Sequence, residues 1–264
     1  MKNLSSKPYI GITDFMSREQ TSDMLSFFEN QIQKSDKTIN HKLMVGVVSL
    51  YETLNDLPSE WTNSVPKNQD ISSIFIDHPL LLNTVHYVDF RGRDILENLI
   101  KITKLGGKNL SAIQFDMVWP DPLIIKRYRE LFPHIQTVLQ INTPALNNLK
   151  DQQNDLIDKI QTYDDSIDFI ILDKSMGRGI SLDCNFFEPI IKRINDELPK
   201  VAVAIAGGLG PDTINLAASL LAEFPNLSID AEAKLRPSGD SHDPIDWSLA
   251  KKYLNKALTL FYTN

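Results

Sequence analysis

Apolar residues arrive along this chain in short runs, and most runs are followed by a stretch in which they recur every three or four positions. Short runs bounded by polar residues predict buried strands, and the wider spacing predicts helices with one apolar face. Strands are predicted over 9–13, 43–50, 84–90, 110–115, 135–141, 169–173, 201–207 and 227–232. Helices are predicted over 17–33, 71–82, 94–105, 122–132, 143–161, 186–198, 211–224 and 246–258. In the first helix Met24, Leu25, Phe27, Phe28 and Ile32 form the inner face. Gly106-Gly107 supplies a helix stop and Asp121-Pro122 a helix start. The second strand is nearly all apolar, as expected where both faces of a parallel sheet are covered. Residues 51–69 hold Asn55, Pro58, Asn63 and Pro66 and read as a long polar loop, a kind of segment that often serves as a lid or binding element.

A strand–helix unit repeated eight times closes more naturally into a barrel than into an open sheet. The early Gly-x-Gly-x-x-Gly turn of an open doubly wound sheet is missing. The expected fold is therefore a single (β/α)8 TIM barrel spanning residues 1–264. Function in such barrels gathers at the carboxyl ends of the strands.

Composition narrows the classes. The net charge is −7, with 42% hydrophobic and 23% charged residues, and the basic residues are scattered. Neither a nucleic-acid footprint nor a basic amphipathic membrane face is expected. Cys184 is the only cysteine, which excludes an intrachain disulfide and a thiolate metal cluster. No run approaches the length of a membrane span, and residues 1–8 lack the apolar core of a signal peptide. The expected location is cytoplasmic, and the oligomeric state is left open.

The strand ends carry the candidate chemistry. Asp173 closes an apolar strand, where a carboxyl is partly desolvated and suited to acid or base work. Asp230 and Glu232 share a face by their spacing of two, and Lys234 continues it if the strand persists. That trio can shift a proton, bind a divalent ion or neutralise itself. Gln114 and Asp116 share a face at the fourth strand end. On the third strand, Asp89 is expected to point inward with Arg91 beyond it, which turns His86 outward. Gly207 and Gly208 allow close backbone approach to a ligand, and Pro211-Asp212 opens a helix whose amides can attract an anion. Gly177-Arg178-Gly179 carries a cation that can clamp a phosphate, and Arg236 is a second such cation. Trp61 and Trp119 can stack on a ring or simply pack.

In their order, Ile170-Ile171-Leu172-Asp173, Met176-Gly177-Arg178-Gly179, Ala206-Gly207-Gly208-Leu209 with Pro211, Ile229-Asp230 and Pro237-Ser238-Gly239 resemble phosphoribosylanthranilate isomerase, of the ribulose-phosphate-binding barrel type. Ile10-Gly11-Ile12-Thr13 and Ile113-Gln114 are similar to that family's first and fourth strands. The resemblance implies Asp173 as general acid; on the residues themselves, a phosphate would be held by Gly207 and Gly208, with Arg178, Gly179, Lys234 and Arg236 as further ligand-binding candidates. The family's general base is a cysteine, whose position holds Ile10, and its phosphate-holding Ser-Ser-Gly is replaced by Glu232-Ala233-Lys234. Asp14 is the leading substitute base, with Asp116 and Asp89 behind it. The expected function is acid–base isomerase or lyase chemistry on a phosphorylated sugar-like substrate, related to the family's reaction but different from it. No cofactor is required on this reading, and a divalent cation would fall to Asp230 and Glu232. The alternative is a barrel without catalysis that binds a ligand or a protein.

Overall fold

A computed structural model describes residues 6–36, 38–61, 63–175 and 182–263. Eight parallel strands close on themselves in sequence order. They are β1 (Tyr9–Thr13), β2 (Lys42–Leu50), β3 (Leu81–Val88), β4 (Ala112–Asp116), β5 (Gln136–Ile141), β6 (Phe169–Asp173), β7 (Ala202–Ala206) and β8 (Ser228–Ala231). Closure is made where β1 pairs with both β2 and β8. Around the strands run α1 (Arg18–Gln33), α2 (Tyr51–Leu54), α3 (Ile71–Ile74), α4 (Ile95–Gly106) and α5 (Pro122–Leu131). They continue with α6 (Thr143–Asn147), α7 (Asn154–Gln161), α8 (Cys184–Glu197), α9 (Ala218–Glu223) and α10 (Trp247–Thr263). The fold is a (β/α)8 TIM barrel. Among the described residues no helix is long and apolar enough to cross a membrane.

The period-two alternation of each strand divides the apolar residues into two cores. Ile10, Val45, Val85, Ile113, Leu139, Ile170, Ile205 and Ile229 point outward and pack under the helices. Tyr9, Met44, Leu82, Ala112, Val138, Phe169, Ile171 and Ala204 fill the barrel interior. Toward the carboxyl ends the inward positions turn polar, and Thr13, His86, Gln114, Gln140, Asp173 and Asp230 are all buried there. The barrel is thus plugged by apolar side chains below and lined with chemistry above.

Local signals set several helix ends as expected. Ser17 and Gln20 form a capping box that starts α1. Asp121 accepts from the Leu123 amide, with Pro122 in the first turn of α5. Gly107, at φ 68°, ends α4.

Other boundaries differ from the sequence pattern. The helix expected over 71–82 stops at Ile74, and β3 starts at Leu81 rather than 84. Leu81 and Leu82 take their places beside Leu43 and Met44 of β2, so strand pairing outweighs a helical spacing. The helix expected over 143–161 splits into α6 and α7. Asp155 accepts from the amides of Lys150 and Asp151, and Asp151 from those of Gln153 and Asn154, which gives the backbone partners outside a helix. The helix expected over 211–224 becomes a 3-10 turn, Ile214–Ala217, followed by the short α9. The loop expected over 51–69 opens with the single turn α2.

Gly11 shows how tightly the interior is filled. A β-carbon there would lie 2.8 Å from Met44 Cε and press on the Asp230 carboxylate. Gly11→Ala is expected to cost roughly 1–3 kcal/mol through overpacking, seen as a lower denaturant midpoint. An unchanged midpoint would contradict the packing described.

Candidate active site at the barrel mouth

The seam between β1 and β8 gathers the first group of functional side chains. Asp230 points into the barrel and accepts from Thr13 Oγ1 at 3.3 Å. Glu232 lies just past the end of β8 on the same side. Asp14 follows β1 in the left-handed region, at φ 84°, where a non-glycine residue is strained and held only by its surroundings. Its amide donates to Gly46 O at 2.9 Å, and one carboxylate oxygen pairs with Arg236 Nη2. Arg236 also donates to the backbone oxygens of Glu232 and Asp243. The ion pair is buried on both sides.

Across the mouth a second set forms a directed relay. Gln114 Nε2 donates to Gln140 Oε1 at 2.7 Å, and Gln140 Nε2 donates to Asp173 Oδ2 at 3.2 Å. The other oxygen of Asp173 accepts from the amide and hydroxyl of Ser175 at 2.7 and 2.9 Å. His86 Nε2 lies 3.5 Å from Asp116 Oδ2, an ion pair too long to count as a hydrogen bond. Asn142 Nδ2 holds the other Asp116 oxygen at 2.8 Å. Asp14 Oδ1, Gln114 Oε1 and both ring nitrogens of His86 are buried with no hydrogen-bond partner among the described residues. Buried polar atoms are rarely left so, and these stand where a ligand would meet them.

Two adjoining cavities serve these groups. A cavity of about 590 Å³ is lined by Asp14, His86, Asp116, Gln140, Asp173 and Glu232 on one side. Its other wall holds Val48, Leu50, Trp61, Val88 and Phe90. A much smaller cleft of about 30 Å³ continues between Asp173, Gly207, Gly208, Asp230 and Glu232. His86, Gln140, Asp173 and Glu232 border both.

The electrostatics follow from crowding acids in a desolvated place. Burial raises Glu232 from 4.5 to about 8, the charge of Asp14 adding to it while His86 and Arg236 oppose it. Burial likewise raises Asp230 from 3.8 to about 7, with His86 opposing and Glu232 adding. Asp14 rises from 3.8 to about 6, since desolvation outweighs the charge and hydrogen bond of Arg236. Burial by itself would lower His86, but Asp116, Glu232 and Asp230 outweigh it and carry it from 6.5 to about 9. The mouth therefore holds acids and a base poised on both sides of neutrality.

The structure brings Asp14, Asp116, Asp173, Asp230 and Glu232 together and leaves other expected residues out. Asp89 requires correction. Register places His86 and Val88 inward, so Asp89 turns outward, accepting from Tyr87 Oη at 3.0 Å and from the amides of Arg91 and Gly92. Arg91 pairs at 2.9 Å with Glu52 at the outer lip. Arg236 is corrected from a phosphate ligand to the buried partner of Asp14. Lys234 does not continue the face of Glu232, because β8 ends at Ala231 and a 3-10 turn, Ala233–Leu235, carries it to an outer cavity beside Gly210 and Ser238. Arg178 and Gly179 lie outside the described residues.

Gly207 and Gly208 do form a positive-φ turn, at 108° and 62°. A β-carbon on Gly207 would stand 3.2 Å from both Asp173 Oδ1 and Ser175 Cβ. The turn thus opens onto carboxylates. At the helix start expected at Pro211-Asp212, proline brings no amide hydrogen and the Thr213 and Ile214 amides donate to Gly210 O. Among the described residues no group of three or more His, Cys, Asp or Glu side chains is arranged to hold a metal ion. Trp61 lines the large cavity, whereas Trp119 donates to Ala145 O at 2.8 Å and packs near Tyr163. Gln140 and Ser175 escaped the sequence reading. Gln140 had a signal, being a polar residue two positions after Val138 in an apolar strand.

No protein-family model matches the sequence, and no curated protein matches it. Among solved structures, the chain is similar to N-(5'-phosphoribosyl)anthranilate isomerase from Pyrococcus furiosus, with TM-score 0.57 and 15% identity over 96% of this chain and 99% of that one. The carboxyl transferase domain of Rhizobium etli pyruvate carboxylase gives TM-score 0.52 and 10% identity, over 98% of this chain and 47% of that one. Ribulose-1,5-bisphosphate carboxylase/oxygenase from Pyrococcus horikoshii gives 0.50 and 14%, over 98% and 63%. At these identities the likeness is one of fold.

Two predictions follow from the charges of the mouth. Arg236→Leu is expected to cost roughly 3–5 kcal/mol by leaving Asp14 buried without its partner, and adding Asp14→Asn should restore part of the loss. Equal losses in the single and double variants would contradict the pairing. The second concerns pH. Each raised carboxyl favours the fold while it is protonated, and that advantage is lost as pH rises from its ordinary value through its folded value. His86, raised to about 9, contributes fully below 6.5 and loses its contribution as pH rises through about 9. All four groups act in one direction, so melting temperature should fall between about pH 4 and pH 9. Glu232→Gln should flatten that fall, and a parallel profile in the variant would contradict the assignment.

Proposed function

We propose that the barrel mouth is an acid–base active site that moves protons on a small, polar, sugar-like molecule, as an isomerase or a lyase does. The observation that carries this reading is the crowding of Asp14, Asp116, Asp173 and Glu232 on one wall of a cavity of about 590 Å³, where burial pushes Glu232 up to about 8. Protonated at neutral pH, it can donate a proton where a carboxylate of ordinary acidity would already have lost it. Asp173, held in place by Ser175 and Gln140, is the acceptor for the reverse transfer. His86, protonated beside Asp116, supplies positive charge toward an oxygen that becomes negative during the reaction.

The phosphate expected from the Gly207-Gly208 turn is not part of this reading. Inside the mouth Asp173, Asp230 and Glu232 border that turn, and Arg236 is already committed to Asp14. A sugar skeleton offering a carbonyl and hydroxyls fits the hydrogen-bonding groups without asking for a free cation.

The test is proton exchange. Sugars and sugar phosphates incubated with the protein in deuterium oxide should exchange the hydrogen next to their carbonyl, followed by nuclear magnetic resonance. Glu232→Gln and Asp173→Asn should each slow the exchange by about 10²–10⁴-fold. Exchange that survives both substitutions, or no exchange with any member of the panel, would overturn the proposal.

A further inference from the structure

Acidic side chains crowd the mouth. The carboxylates of Asp116, Asp173 and Glu232 border the cavities. Two further acceptors, Asp14 Oδ1 and Gln114 Oε1, are buried without a partner among the described residues. The relay fixes the Gln114 amide. Gln140 donates to Asp173, so its oxygen must receive the Gln114 amide hydrogen, and Gln114 Oε1 is left over. The local cations are paired already, Arg236 with Asp14, Arg91 with Glu52 and His86 with Asp116 at 3.5 Å. Asp14, Asp116, Asp173, Asp230 and Glu232 outnumber the cations among them, Arg236 and His86.

The facing wall asks for something else. Trp61 and Val88 pack against the buried cluster of Val48, Leu50 and Val65, and Phe90 is 51% exposed beside the same cavity. An exposed aromatic ring at the edge of a concave site is a contact surface for an apolar or aromatic body. Trp61 is stacked on the His242 ring at 4.0 Å.

We propose that the mouth binds an organic cation, a protonated amine carried on an apolar or aromatic body, with the amine at the acidic floor and the body against Trp61 and Phe90. This goes beyond the sugar-like molecule of the acid–base reading, assigning the same mouth a second class of ligand, and rests on that reading for the purpose of the site. An ammonium group supplies several donors and one positive charge, which answers Asp14 Oδ1, Gln114 Oε1 and the carboxylates together. Its arrival favours ionisation of Glu232 and Asp230, so binding releases protons near neutrality. The groups facing Glu232 in this exchange are Asp14 after β1, His86 of β3, Asp116 of β4, Asp173 of β6, and Asp230 and Arg236 around β8.

The test is calorimetric titration of the full chain near pH 8 with phenethylamine and cyclohexylmethylamine. Phenethyl alcohol, phenyl phosphate and magnesium chloride serve as the neutral, anionic and metal arms. Both amines should bind, and the alcohol should bind at least roughly tenfold more weakly, a difference of about 1.4 kcal/mol. Repeating the titration in buffers of different ionisation enthalpy should show protons released. Glu232→Gln and Trp61→Ala, each checked for folding by circular dichroism, should weaken amine binding by roughly tenfold or more. Equal binding of the alcohol, preferential binding of phenyl phosphate, displacement of amine by magnesium, or no amine binding would overturn the proposal. Sugar exchange that depends on Glu232 without amine binding would sink this inference and spare the acid–base reading. Amine binding without any exchange would do the reverse.

Discussion

Asp14, Asp173, Asp230 and Glu232 are driven into one desolvated space by the closing of the barrel, and too few cations go with them. Everything distinctive about the mouth follows from that imbalance. A buried carboxylate without compensation costs more than proton uptake does, so the group keeps its proton to a higher pH instead. Glu232 shows the effect most clearly, rising to about 8 through burial, with the like charge of Asp14 adding to it. The same imbalance carries His86 upward, to about 9. One cause therefore yields both a protonated acid and a cation near neutral pH.

The barrel can hold this arrangement because its lower interior is sealed. Tyr9, Met44, Leu82, Phe169 and Ile171 fill the space under the acids, and the outer apolar face of each strand is clamped beneath the helices. The polar layer consequently has one open side. Arg236 secures its weakest point, where Asp14 adopts a left-handed backbone and would otherwise stand as a buried charge. The seam of β1 and β8 thus joins the ends of the barrel and also sets its electrostatic character.

Much of this was legible in the sequence because strands have a period of two. Asp230 and Glu232 had to share a face, and Asp173 had to close an apolar strand, whatever the exact boundaries. His86 and Asp89 were not separable in the same way, since their order depends on which of two parities faces inward. That was decided by Leu81 and Leu82 pairing with β2, three residues before the strand was expected to start. The partner of Arg236 was hidden for another reason. Asp14 is 222 positions away, and no local pattern connects a residue after the first strand with one after the last. Gln140 could have been found, because a polar side chain inside an apolar strand needs a partner.

The central claim is that Glu232 remains protonated at neutral pH in the folded protein. Its side-chain carboxyl can be followed directly by carbon-13 nuclear magnetic resonance across a pH titration, assigned by comparison with Glu232→Gln. A midpoint near 8 is expected, with the signal still that of a carboxylic acid at neutral pH. A midpoint near the ordinary 4.5 would show the mouth to be well solvated, and would remove the basis for both the acid and the paired cation.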